Sequence, residues 1–232
     1  MSPRSQDIKQ SGLFGFLAQP DAPTRSGVVL LATIFGVNAF ARGYAETLAR
    51  AGIACAVWDH YEGAPLTTDY EECKNRASVL TDAKMHSAAK AWTDYLTGEL
   101  KLTSIGVIGF CMGGRYAPLV AARDKRIKAC AAMYPSIEVP RKSNQAEDAI
   151  ALAAEVACPV LVMQPGHDHV ASPETYAALK ATLTKRSAPT IWHYYPDAEH
   201  GFMHRDTPPA NPAASVIASP QLVGFLQGCL SS

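Results

Sequence analysis

The segment Ser104-Ile-Gly-Val-Ile-Gly-Phe-Cys-Met-Gly-Gly-Arg-Tyr116 organises the rest of the chain. Its first half is a short apolar run with β-branched side chains, which is typical of a buried parallel strand. Its second half, Gly109-Phe-Cys-Met-Gly113, has the form Gly-x-nucleophile-x-Gly. Such a segment makes a sharp turn from strand to helix and holds its central side chain exposed above the sheet. The pattern predicts a reactive thiol at Cys111; the alternative is a buried cysteine in a glycine-rich turn.

The composition is that of an ordinary globular domain without a dominant charge. Hydrophobic residues make up 48% and charged residues 18% of the 232 residues, which is enough for a substantial core. We therefore expect one α/β domain over residues 1–232. The 21 basic residues balance the 21 acidic ones, so no overall field favours a nucleic acid or an anionic membrane. No run approaches the roughly 20 apolar residues that a membrane span requires, and we expect no nucleic-acid or membrane partner.

The six cysteines show no Cys-x-x-Cys pair, which argues against a structural zinc site and against a disulfide framework. Cys55, Cys130 and Cys158 lie in or beside apolar runs and are predicted to be small core residues. The polar segment 1–7 lacks the apolar stretch of a signal peptide. We therefore expect a cytoplasmic location, where reducing conditions suit a free catalytic thiol.

Predicted strands and predicted helices alternate along the whole chain. Besides the first half of the segment quoted above, the expected strands are 14–18 at an edge, 27–33, 53–58, 127–134, 159–164 and 190–195. The expected helices are 39–51, one or two over 70–100, 112–122, 147–156, one opening at 172–174, and a closing helix near 220–229. This alternation predicts a mostly parallel sheet with helices on both faces.

Three residues with complementary chemistry each follow the end of a predicted strand: Cys111, Asp168 and His200. Parallel sheets place their ligand sites outside the carboxyl ends of the strands, so we expect the three side chains to meet at one edge. Their chain order, nucleophile then acid then histidine, is that of α/β-hydrolase folds. In this interpretation His200 exchanges the thiol proton and Asp168 orients the imidazole. Taken singly, Asp168 is equally consistent with a turn residue and His200 with a loop histidine.

Four motifs resemble those of the dienelactone hydrolase family: Ile34-Phe-Gly-Val-Asn38, Gly109-Phe-Cys-Met-Gly-Gly114, Gly166-His-Asp-His169 and Glu199-His-Gly-Phe202. The resemblance runs from about residue 30 to residue 202. It implies an α/β-hydrolase fold and hydrolysis of small esters or lactones through an acyl-enzyme, without a cofactor. It also implies an oxyanion hole made by the backbone N–H groups of Met112 and Ile34, in agreement with the general rule for these hydrolases.

The sequence departs from the family at one position near the expected site. Well-known members carry a glutamate just before the Ile-Phe-Gly loop, where this chain has Thr33, which cannot act as a carboxylate base. Activation of the thiol would then fall to His200, aided by the dipole of the helix that starts at Met112. In the family, arginines hold the lactone carboxylate. By that resemblance Arg205 is the stronger candidate here and Arg76 the weaker one.

Other interpretations stay open at this point. The same triad would suit a general hydrolase of small carboxylesters or thioesters, and the fold would also suit a catalytically silent binding scaffold. A remote hypothesis is that five histidines, at positions 167, 169, 193, 200 and 204, form a metal-binding cluster. None of them shows helical i, i+4 spacing with a nearby glutamate, so we expect no metal. The sequence leaves the oligomeric state open.

Overall fold

The computed structural model describes residues 3–10, 12–204 and 211–231. Within these residues, eight strands form one sheet in the order β1-β2-β4-β3-β5-β6-β7-β8. The strands are β1 (Arg4–Gln10), β2 (Leu13–Gln19), β3 (Ser26–Leu31), β4 (Ala54–Trp58), β5 (Ser104–Phe110), β6 (Ile127–Met133), β7 (Val160–His167) and β8 (Thr190–Glu199). The helices are α1 (Ala39–Arg50), α2 (Tyr70–Ser78), α3 (Asp82–Gly98), α4 (Met112–Arg123), α5 (Ala149–Leu152), α6 (Pro173–Leu183) and α7 (Pro212–Leu230).

The sheet is parallel from β4 through β8, and β1 and β2 are its antiparallel edge. The predicted α/β-hydrolase fold is therefore confirmed. The predicted edge position of residues 14–18 is wrong, because β1 pairs along the outer side of β2. Ile8 is the sole buried residue of β1, so the strand lacks the apolar alternation by which strands are recognised.

The central strands are buried on both faces because helices cover both sides of the sheet. In β3, Val29 and Leu31 contribute to the core that includes Trp92 of α3, whereas Val28 and Leu30 contribute to the core that includes Leu48 of α1. This alternation is the two-residue period of a strand, and it explains why such a segment is a continuous apolar run. Cys55, Cys130 and Cys158 are buried in these cores, as predicted.

The closing helix α7 starts at Pro212, well before the predicted start near residue 220. Asn211 caps it by accepting a hydrogen bond from the Ala214 N–H, and Pro220 lies inside the helix. Among the helices of the described residues, α7 is the one that is long and apolar enough to cross a membrane, judged by length and composition alone. Core helices of globular proteins can have the same length and apolar composition, and Leu222 and Leu226 of α7 are fully buried against the sheet.

Candidate active site

Cys111 occupies a strained turn between β5 and α4. Its backbone has φ 55° and ψ −114°, a conformation that side-chain-bearing residues rarely adopt. The glycines around it are required because α4 passes very close to strands β5 and β3. A Cβ atom on Gly109 would lie 1.8 Å from the Gly113 carbonyl oxygen, and one on Gly113 would lie 2.0 Å from the Leu31 carbonyl oxygen. The turn thus fixes the thiol at the carboxyl end of the central strand.

Asp168 and His200 meet beside this turn, at the ends of β7 and β8. The His200 Nδ1 atom lies 3.0 Å from both carboxylate oxygens of Asp168. The carboxylate is itself held by the N–H groups of Val170 and Ala171, at 2.8 and 3.1 Å, and by the Tyr176 hydroxyl at 2.7 Å. Asp168 is therefore fixed in place. Because it contacts the Nδ1 side of His200, the Nε2 side of the imidazole is available to a partner at the turn.

Ser136 is a fourth polar side chain at this point, and the sequence interpretation missed it. Its Oγ atom lies 3.2 Å from Cys111 Sγ and 3.4 Å from His200 Nε2. Its backbone N–H donates to the Cys111 carbonyl oxygen at 3.0 Å. Ser136 follows shortly after β6, so the argument that placed Asp168 and His200 at strand ends would have found it if applied to this strand as well.

The pKa directions in this group favour a charge-separated pair. Burial on its own would raise the pKa of the Cys111 thiol, but the charge and hydrogen bonds of His200, with those of Ser136 and the Met112 N–H, lower it below its ordinary value. Burial would likewise lower the pKa of His200, yet the neighbouring Cys111 and the bond to Asp168 outweigh burial and raise it to about 10. A thiolate beside an imidazolium is the state that these directions describe.

The same balance between burial and hydrogen bonding applies to the Asp168 carboxylate. Burial opposes ionisation of Asp168, but the hydrogen bonds from His200 and Tyr176 hold its pKa below the usual range. The neighbouring His204 is buried near His200, and these two effects lower its pKa to about 4. Within the described ranges, no three or more histidine, cysteine or acidic side chains are grouped so as to hold a metal ion.

A cavity of about 860 Å³ opens over the turn. Cys111, Ser136 and His200 line it, together with Ile34 and Met112, whose N–H groups are the expected oxyanion donors. The carbonyl oxygen of Ile34 accepts a hydrogen bond from the Tyr61 hydroxyl, which ties the loop after β3 to the segment after β4. The cavity therefore gives a small molecule access to Cys111, Ser136 and His200.

Of the three further residues expected at the site by resemblance to the family, two do not line the cavity and the third is not among the described residues. Thr33 is buried but does not line the cavity, and its Oγ1 atom accepts a hydrogen bond from the Phe35 N–H at 3.3 Å. Arg76 also does not line the cavity, because its guanidinium pairs with Glu72 and donates to the Pro65 carbonyl oxygen at 2.7 Å. Arg205 lies outside the described residues.

The lysines and arginines on the described cavity wall all have a carboxylate partner. Lys74 lies 3.2 Å from Glu71, and Lys142 lies 2.6 Å from Glu138. Arg115 is fully buried and pairs with Asp82. The described wall therefore presents no unpaired lysine or arginine to a ligand.

The family model for dienelactone hydrolases matches residues 13–230 of this sequence. The chain belongs to the dienelactone hydrolase family. As a member, it is a carboxylic ester hydrolase that acts on small-molecule esters or lactones. The resemblance inferred from the four motifs is thereby confirmed.

One curated relative and two solved structures are similar to nearly the whole of this chain, and the structures show the same fold. Carboxymethylenebutenolidase 1 of Cupriavidus pinatubonensis is 24% identical over 228 residues, covering 94% of this chain and 93% of its own. A crystal structure of a protein from Klebsiella pneumoniae subsp. pneumoniae has a TM-score of 0.85 at 20% identity and covers 97% of this chain and 99% of its own. The dienelactone hydrolase structure from Anabaena variabilis has a TM-score of 0.75 at 21% identity, covering 99% of this chain and 100% of its own.

Proposed function

We propose that the enzyme cleaves small esters or lactones with a Cys111–His200–Asp168 triad, through an acyl-enzyme and without a cofactor. The observation that carries the proposal is the geometry around His200. Its Nδ1 atom lies 3.0 Å from Asp168, and its Nε2 atom faces a hydroxyl that is 3.2 Å from the thiol sulfur. A base that is oriented by an acid and placed beside a nucleophile is the general arrangement of covalent hydrolysis.

In the first half of the reaction, the Cys111 thiolate attacks the carbonyl carbon of the ester. The negative charge that develops on the carbonyl oxygen is stabilised by the N–H groups of Met112 and Ile34, which border the same cavity. The carbon–oxygen bond to the leaving group then breaks, and the His200 imidazolium donates its Nε2 proton to that oxygen. For a lactone substrate, the released oxygen stays tethered to the acyl group.

In the second half, neutral His200 removes a proton from a water molecule that attacks the thioester carbon. The carbon–sulfur bond breaks, the acid product leaves, and the thiolate and imidazolium are restored. Asp168 keeps the imidazole in one tautomer throughout and favours its charged form. Because Thr33 cannot hold a proton in place of a carboxylate, His200 serves as the base that activates the thiol.

For the substrate, the proposal is a carboxylated enol-lactone of the dienelactone type, with Arg205 as the cation for its carboxylate. A neutral small carboxylester or thioester is the second candidate. One observation favours the second: each lysine or arginine on the described cavity wall is already paired with a carboxylate. The site of action that we propose is the cytoplasm, because all six cysteines are free in the structure.

The test is a panel of dienelactone and neutral aryl esters, assayed with wild type and with Cys111→Ala. We expect wild type to hydrolyse at least one substrate class and Cys111→Ala to lose essentially all turnover while it keeps its circular dichroism spectrum. Cys229→Ala is the matched control, since Cys229 is also partly exposed and lies in α7 away from the cavity. Hydrolysis by Cys111→Ala at the wild-type rate would contradict the mechanism.

The same panel decides the substrate class. If dienelactone is preferred and Arg205→Ala removes that preference while neutral esters are still cleaved, the carboxylated lactone is the substrate. If neutral esters are preferred and Arg205→Ala changes nothing, the second candidate is correct.

A further inference from the structure

The Ser136 hydroxyl lies beside the two groups that exchange the proton. It is within hydrogen-bonding distance of Cys111 Sγ, at 3.2 Å, and of His200 Nε2, at 3.4 Å. A hydroxyl has one proton to donate and two lone pairs to accept with. It can therefore serve both neighbours at once, provided that one of them donates to it and the other accepts from it.

The charge state of the pair decides the direction of these bonds. When His200 is an imidazolium, its Nδ1–H is engaged by Asp168 and its Nε2–H points toward the turn. The thiolate has no proton, so it can only accept. The Ser136 hydroxyl then accepts from Nε2–H and donates its own proton to the sulfur. Because the sulfur also accepts a hydrogen bond from His200, the Ser136 donor adds a further, charge-assisted bond to the thiolate.

We propose that Ser136 stabilises the resting Cys111 thiolate by donating a hydrogen bond to its sulfur. This inference rests on the proposed function, because it assigns to Ser136 a contact with the sulfur that attacks the ester. Thr33 in the neighbouring loop does not supply that hydrogen bond, since it does not line the cavity.

The backbone holds Ser136 in register with the turn independently of its side chain. The Ser136 N–H donates to the Cys111 carbonyl oxygen at 3.0 Å. The preceding Pro135 packs so closely on Gly114 of α4 that a Cβ there would lie 2.8 Å from the Pro135 Cα atom. Removing the hydroxyl therefore leaves the segment attached to α4, and Ser136→Ala is expected to fold.

The measurement is the pH dependence of iodoacetamide alkylation of Cys111, followed by peptide mass spectrometry. In Ser136→Ala, the loss of a hydrogen bond to a charged sulfur moves the midpoint of the profile to higher pH, and labelling on the acid side of the midpoint slows about tenfold. The rate on the alkaline plateau does not fall, because the thiolate is fully formed there. Ser136→Thr keeps a hydroxyl and is expected to restore the midpoint toward that of wild type.

Ser78→Ala is the matched control. Ser78 also lines the cavity, but its hydroxyl donates to the Asn75 carbonyl oxygen at 2.7 Å, so its loss should leave the midpoint unchanged. If Ser136→Ala does not fold, Ser136→Gly takes its place with the same expected result. A wild-type midpoint in the folded variant overturns the inference.

The two proposals fail in different ways. If Cys111→Ala is inactive and Ser136→Ala keeps the wild-type labelling midpoint, the hydrolytic mechanism stands and the role of Ser136 is wrong. If Cys111→Ala hydrolyses like wild type, the mechanism itself is wrong.

Discussion

Two buried ionic clusters flank the start of α4, and they are built differently. In one, Arg115 donates to the two oxygens of Asp82 at 2.7 and 3.2 Å and to the Glu147 carbonyl oxygen at 2.8 Å, while the Glu147 N–H donates to Asp82 at 2.8 Å. In the other, Asp168 and His200 form a comparable pair whose free end faces Cys111 and the cavity.

The two clusters differ in whether their polar atoms are all paired with other protein atoms or border the cavity. Protein atoms occupy both oxygens of Asp82, and a guanidinium does not release its proton at any physiological pH. That cluster ties α3 and α4 to the segment before α5. The His200 imidazole and the Cys111 thiol both titrate, and they border the cavity. An arrangement such as that of His200 and Cys111 is typical of active sites, where groups that serve reactivity commonly lower the stability of the fold.

The largest effect should come from changing the reactive cluster, which is formed by Cys111, His200 and Asp168. Asp168→Asn is expected to lower kcat by about 10⁴-fold, by analogy with the serine triad, because the imidazole loses its orienting acid. His200→Ala and the double variant should be about as inactive as each other, since members of a triad act as a unit. Steady-state kinetics test this, with Asp197→Asn, an exposed aspartate of β8, as the control. Losses that add up in the double variant would speak against a shared triad.

Changes in the structural cluster, which is formed by Arg115, Asp82 and Glu147, should lower the stability of the fold. Arg115→Met leaves the buried Asp82 carboxylate without its counter-charge, and we expect a loss of about 3 to 5 kcal/mol in the free energy of unfolding. Arg123→Met, on the same helix, removes an arginine whose ion pair with Glu147 is exposed, and it should cost much less. Urea denaturation of both variants measures the difference. Equal losses would show that the burial of Arg115 does not matter.

The same cluster should make stability depend on pH in a defined direction. Burial would raise the pKa of Asp82, but the bonds from Arg115 and the Glu147 N–H lower it below the ordinary value of roughly 3.9. A lowered pKa in the folded state stabilises the fold above the ordinary value, and this contribution disappears as the pH falls through the folded-state pKa. The stability gap between wild type and Asp82→Asn should therefore shrink in acid. A gap that stays constant down to about pH 2 would contradict this.

A smaller effect is expected from the support of the acid. Tyr176→Phe removes one of the hydrogen bonds to Asp168, while the N–H groups of Val170 and Ala171 still hold the carboxylate. We expect kcat/KM to fall about three- to tenfold, with the fold unchanged. Tyr195→Phe is the control, because the Tyr195 hydroxyl bonds to Gln221 instead. A loss as large as that of Asp168→Asn would mean that Tyr176 does more than position the acid.

The sequence was sufficient for the parts of the molecule that depend on local pattern. The turn at Cys111 needs glycines at fixed spacing, and Asp168 and His200 each follow a strand that is recognisable from its apolar run. Because parallel strands end at one edge of a sheet, these local signals also predicted that the three side chains would meet.

The parts that the sequence missed depend on packing between distant segments. Arginine is commonly exposed, so nothing in the local pattern of α4 indicated that Arg115 is buried against Asp82 of α3. Ser136 follows the end of β6, but that position alone does not show that its hydroxyl reaches Cys111 and His200. Resemblance and charge make Arg76 a candidate for substrate binding, but whether a guanidinium reaches a cavity depends on neighbours such as Glu72, which only the folded structure reveals.

The most direct test of the reactive cluster is to trap the acyl-enzyme. Wild type is mixed with an activated ester, quenched in acid within milliseconds, digested and mapped by mass spectrometry. The triad predicts one acyl group per chain on the peptide that contains Cys111, and none on that peptide in Cys111→Ala. An acyl group on a different residue, with hydrolysis continuing in Cys111→Ala, would contradict Cys111 as the nucleophile.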